Sequence, residues 1–92
     1  MDRHTFIEML GALPTAKASG TAWTFEKGRA IVLHVGSSDA MYAIRDVERI
    51  DVKDRFVEVA AEEGKVFLVP IEELRWLSAR PAAAKAKAGF GT

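Results

Sequence analysis

The chain opens with apolar residues at Phe6, Met9, Leu10 and Leu13. Spacings of i, i+3, i+4 and i+7 put these four on one face of a 3.6-residue repeat and predict a short amphipathic helix over 3–13. Asp2 is placed to cap its amino end, Thr5 and Glu8 have capping-box spacing one turn later, and Pro14 ends it. PTAKASGT at 14–21 reads as a loop. From there the pattern changes to period two. AWTFE (22–26) puts Trp23 and Phe25 on one side of a strand. RAIVLHV (29–35) puts Ile31, Leu33 and Val35 on one side and Val32 with His34 on the other. MYAI (41–44), RFVEVAA (55–61) and KVFLV (65–69) read as further strands. Turns are expected at KG (27–28), GSSD (36–39) and EEG (62–64). The predicted fold class is α+β and mostly β: a short N-terminal helix plus a compact antiparallel sheet or small barrel of about five strands.

One stretch admits two readings. FLVPIEELRWLSAR (67–80) is either a helix begun at Pro70, with Ile71, Leu74 and Leu77 or Ser78 on one face, or a tight turn between two strands. A second stretch bears on the choice. Shifted by 27 residues, YAIRDVERI (42–50) lies over VPIEELRWL (69–77): Ile44 meets Ile71, Asp46 meets Glu73, Val47 meets Leu74 and Ile50 meets Leu77. We read both as one local unit used twice, in which a strand ends, a single helical turn follows and the chain becomes extended again. Pro70 suits the start of such a turn, where a missing N–H is harmless and φ is preset. Glu72 and Glu73 then lie at its positive end. Leu74 and Leu77 are expected inward. Trp76, in the slot that Arg49 holds in the first copy, is either an exposed aromatic or folds back over the core edge or under the tail.

Composition bounds the answer without naming a function. Ninety-two residues, 49% of them hydrophobic, suit one globular domain, here residues 1–80. The Ala/Lys/Gly-rich segment 81–92 is expected to be a flexible tail. With no cysteine, a disulfide framework, thiolate zinc sites and a cysteine nucleophile are excluded. No apolar run reaches the ~18 residues of a membrane span, and MDRHTFIEMLGALP lacks the pattern of a signal peptide. The expectation is a soluble cytoplasmic protein with no membrane partner. Thirteen bases balance thirteen acids, but residues 46–80 hold nine acids against six bases. That is not the concentrated basic face of a duplex-binding domain.

Asp46, Val47 and Ile50, then Phe56, Val57 and Val59, then Gly64, then Leu74 and Leu77 follow a "D-I-x-x-I", "aromatic-V-x-V", glycine-hairpin, "L-x-x-L" order. In this order residues 46–77 resemble the central part of LytTR-type domains. That resemblance implies a β-rich DNA-binding module. The chain lacks the basic, His-containing segment that would follow in such a domain, and it is acidic over the matched region. KVFLVPIEELRWLSA also resembles the close of Sm-like and other SH3-like small barrels, which can likewise begin with a short helix. The glycine-rich signature of a true Sm fold is missing.

Catalytic chemistry finds little to work with. His4 and His34 have no partner at metal-ligand spacing. Ser37 and Ser38 sit beside Asp39 in a turn, with no displayed base or oxyanion hole. The paired glutamates read as solvated turns, and the glycines form no phosphate-binding pattern. No enzyme activity, cofactor or metal is expected. The favoured expectation is a non-catalytic small regulatory or protein-interaction module, binding a protein partner or itself, with Trp76, Arg75 and Arg49 at the contact surface. The alternative is a small nucleic-acid-binding regulator. It would use Lys27, Arg29, Arg45 and Arg55, with Tyr42 or Phe56 stacking on bases.

Overall fold

Asp2 sets the first element. In the computed structural model, which describes residues 1–26, 30–37 and 39–80, its carboxylate accepts the Thr5 N–H at 2.7 Å. It thereby caps α1 (Arg3–Ala12). Thr5 is thus the donor to the cap and not a second cap. Phe6 and Leu10 of the predicted apolar face are fully buried in the core, but the helix residue that packs beside them is Ile7, while Met9 and Leu13 are half-buried. Arg3 Nε donates to the Lys53 carbonyl at 2.9 Å and ties the helix to the sheet.

The strands are β1 (Lys17–Ser19), β2 (Ala22–Thr24), β3 (Ala30–Gly36), β4 (Met41–Ile44), β5 (Val47–Val52), β6 (Phe56–Ala61), β7 (Val66–Pro70) and β8 (Leu74–Arg80). They form two antiparallel sheets, ordered β1-β2-β5-β6-β7 and β4-β3-β8. Alternation places one face of each sheet inward. Trp23, Ile50, Val59 and Phe67 run as a row across the five-stranded sheet, and Val52, Val57 and Val69 make the next row. Ile44, Leu33 and Leu77 cross the three-stranded sheet. With Phe6 and Leu10 of α1 they form one core. Each fully buried aliphatic side chain in it contributes about 1.5–3 kcal/mol.

The expected fold class holds among the described residues: one α-helix, mostly β, in antiparallel sheets. The strand count does not. Eight strands occur among the described residues, against about five expected. Segment 14–21 contains β1, whose three residues are all exposed; an outer edge strand of Lys-Ala-Ser carries no apolar alternation to reveal it. EEG (62–64) does connect β6 to β7, as a 3-10 turn with Glu63 and Gly64 both at positive φ. The KG turn, Ser38 and the segment 81–92 lie outside the described residues.

FLVPIEELRWLSAR resolves into β7, a 3-10 turn at Ile71–Glu73 and β8, not a continuous helix. Its partner stretch corrects the other half of the expectation. Between β4 and β5 there is no helical turn. Arg45 and Asp46 alone connect them, with Asp46 in the left-handed region at φ 54°. Both stretches nonetheless do the same work, because each carries the chain from one sheet to the other. β4 belongs to the three-stranded sheet and β5 to the five-stranded one; β7 and β8 make the return crossing. Immediately afterwards each strand bulges. Val47 pairs with Ala61 and Arg49 with Ala60, leaving Glu48 as the extra residue. Leu74 pairs with Val35 and Trp76 with His34, leaving Arg75 extra. Sandwich corners made by strands that change sheets commonly use such bends and bulges.

Candidate functional site

The second bulge decides where Trp76 points. In a regular strand Leu74 and Trp76 would share a face. The extra residue, Arg75, breaks that parity, so Leu74 is buried at 1% exposure, Trp76 turns outward at 46%, and Leu77 returns half-buried to the core. Arg75 is itself anchored, since its Nε donates to the Gly36 carbonyl at 2.9 Å.

Trp76 lies directly across from His34 on β3. The two rings stack with centroids 4.5 Å apart and planes inclined by 19°. His34 is half-buried, as its place opposite Leu33 predicts. On the other side of β3, Ala43 is the register partner of His34, and Met41 pairs with Gly36. The outward face of the three-stranded sheet therefore carries a stacked indole and imidazole with an exposed thioether side chain nearby. This is a firm, partly apolar platform of the type that anchors protein interfaces.

The expected site residues are only partly assembled. Arg75 and Trp76 are adjacent and share the bulge. Arg49 follows the first bulge as Trp76 follows the second, and it too is exposed. It stands, however, between Thr24 and Ala60 on the five-stranded sheet, apart from the Trp76 face. Of the alternative set, Arg45 lies at the first crossing and Arg55 just before β6, both exposed. Lys27 and Arg29 lie outside the described residues. Tyr42 and Phe56 are on different sheets and make no common stacking surface. Sequence reasoning missed His34 as the base of the Trp76 stack, because only the β3–β8 register brings the two together.

Perturbed carboxyls lie elsewhere. Asp51 accepts the Thr21 hydroxyl at 2.6 Å and pairs with Lys53 Nζ at 3.1 Å. The Thr21 hydrogen bond first, and Lys53 second, hold its carboxyl below the ordinary value. Asp2 is lowered too, chiefly by the Thr5 backbone hydrogen bond. Glu62 is raised, by a hydrogen bond with Asp46 and then by that neighbour's charge. No group of three or more metal-ligating side chains is assembled among the described residues. No described helix is long and apolar enough to cross a membrane. Comparison with known proteins gives no match to a family model, to a curated protein or to a solved structure.

Proposed function

We propose that this protein is a non-catalytic interaction module, regulatory in character, that takes a protein partner on the outward face of its three-stranded sheet. The observation that carries the reading is Trp76, turned outward by the Arg75 bulge and stacked on His34. An exposed indole costs solvation that the core does not recover, and tryptophan and arginine are the residues over-represented where interfaces concentrate their energy. Anchoring of Arg75 by Gly36 orders the bulge, so little conformational freedom remains to be lost on binding.

The test compares wild type with Trp76→Ala in a quantitative pull-down from a native lysate, with urea unfolding run on both. The expected result is a near-unchanged midpoint of unfolding and loss of the specifically retained protein. A collapse of stability would make Trp76 part of the core and remove the reading. A low-salt titration against single- and double-stranded nucleic acid separates the alternative: tight binding with a steep salt dependence would favour the nucleic-acid regulator that the LytTR-like and Sm-like patterns imply.

A further inference from the structure

We propose that the outer edge of β7 pairs with β7 of a second copy, giving a two-fold antiparallel dimer centred on Phe67. β7 ends the five-stranded sheet, and among the described residues β6 alone pairs with it. Two hydrogen bonds reveal which of its main-chain groups are committed. Ala61 N–H donates to the Lys65 carbonyl at 2.8 Å, and Ile71 N–H donates to the Arg55 carbonyl at 3.0 Å. Bonded and non-bonded pairs alternate along an antiparallel ladder. Lys65, Phe67, Val69 and Ile71 therefore face β6, and Val66, Leu68 and Pro70 turn their main-chain groups to the free edge. Pro70 has no N–H to leave unsatisfied there, which is where a strand tolerates proline.

The side chains of those same three residues lie on the outward face. Leu68 is 65% exposed and Val66 56% exposed, and Phe56, the register partner of Pro70, is 38% exposed. An occupant of this edge must be an extended main chain with apolar, uncharged residues at alternate positions. β7 meets its own requirement. The chain's formal charge of zero adds no long-range repulsion between copies.

Pro70 selects the register. If Leu68 opposed Leu68 of the second copy, Val66 would face Pro70, and its carbonyl would meet a ring without a donor. With Val66 opposite Leu68 of the second copy, both free N–H groups of each strand are used. Pro70 then falls beyond the paired span. Val66 of one copy packs on Leu68 of the other, and the two-fold axis passes through Phe67. So short an edge buries less than the ~1,200 Å² of a stable interface, so the dimer is weak and forms only as concentration rises.

The inference extends the interaction role proposed above but stands on a different strand, and its test keeps the two apart. Sedimentation velocity from about 10 μM to about 1 mM would follow wild type, Leu68→Pro, Leu68→Lys and Trp76→Ala, with amide hydrogen exchange on wild type at both limits. Leu68→Pro removes an edge N–H and no bond to β6; Leu68→Lys keeps the backbone and sets a charge on the outward face. Wild type and Trp76→Ala are expected to move toward twice the monomer mass, and both Leu68 variants to stay monomeric. The Val66 and Leu68 amides should gain protection with concentration. Monomer mass throughout for wild type, or dimerisation of Leu68→Lys as strong as wild type, would overturn the proposal. So would a dimer without that protection. A dimer lost in Trp76→Ala but kept in Leu68→Lys would move the contact to the Trp76 face, sinking this inference and leaving the proposed function standing.

Discussion

The two crossings between sheets, Asp46–Ile50 and Ile71–Leu77, share a spacing and a bulge and differ in almost everything around them. At the first, a single left-handed residue, Asp46, turns the chain. At the second, Pro70 at φ −58° leads into a 3-10 turn. The first bulge lies inside a sheet: β6 flanks β5 on one side and β2 on the other, and the Glu48 carbonyl accepts the Phe25 N–H at 3.3 Å. The second lies on β8, which among the described residues pairs with β3 alone. Arg49 and Trp76, equivalent in the repeat, accordingly have different neighbourhoods. Arg49 sits between two strands; Trp76 has one ring beneath it and solvent beside it. Two apolar residues three apart suggest a helix face, yet in a strand the same spacing is produced by one extra residue. That is how Val47 with Ile50, and Leu74 with Leu77, both return to the core.

The largest way to break the comparison is at Gly36. It is the residue whose carbonyl anchors Arg75, and the first crossing has no glycine in that role. Its φ of 139° is closed to L side chains, and an added Cβ would collide with the Ala40 carbonyl oxygen and the Met41 Cα. Both obstacles are backbone, so nothing flexible can yield. Gly36→Ala is expected to cost more than about 3 kcal/mol, read as a lower urea midpoint with an unchanged slope. A wild-type midpoint would mean that the second bulge does not depend on this bend.

Next in size is the pair of inward residues that precede the bulges. Leu74 is 1% exposed and Val47 3% exposed. Leu74→Ala is expected to cost about 2–5 kcal/mol through lost burial and the cavity left behind. Val47→Ala removes two methyl groups and is expected to cost about 2 kcal/mol. Chemical denaturation of both variants checks the order. A reversed order would show that the first crossing, framed by strands on both sides, carries more of the fold than its smaller side chain implies.

Much of this was legible in residue order, and the limits have physical causes. The helix, the inward set on β3 and the turn after Pro70 follow from local periodicity and proline geometry. The shift relating Val47 to Leu74 marked both crossings before any strand order was known. It wrongly implied a helical turn at the first crossing as well, because a left-handed residue is chosen by the direction the chain must take, and aspartate adopts that region at modest cost. β1 was hidden because an exposed edge strand has no apolar pattern to show. The His34–Trp76 stack and the open edge of β7 were hidden for a different reason: both depend on which distant strands pair. Arg49 and Trp76 could be matched by position, but only the sheet order shows that they face different surroundings.

The smallest effect sharpens the comparison at its electrostatic end. Asp46→Gly removes the left-handed strain of the first crossing while making the unfolded chain more flexible. These oppose each other and leave a net stabilisation of less than about 1 kcal/mol at neutral pH. It also removes the carboxylate beside Glu62. In the wild type Glu62 is raised by Asp46, so the folded state takes up a proton before the unfolded chain does. Stability from this pair therefore rises as pH falls from neutral into the ordinary carboxylate range. Asp51 and Asp2 act with the opposite sign. Their lowered values mean that the stability they confer, present above the unfolded value, is lost as pH falls through the folded one. Urea midpoints across this range should rise slightly and then fall for the wild type. For Asp46→Gly they should be flat before falling. A rise that survives the substitution would place its source outside the first crossing, in the desolvation of Glu62 and the charge of Glu63 beside it.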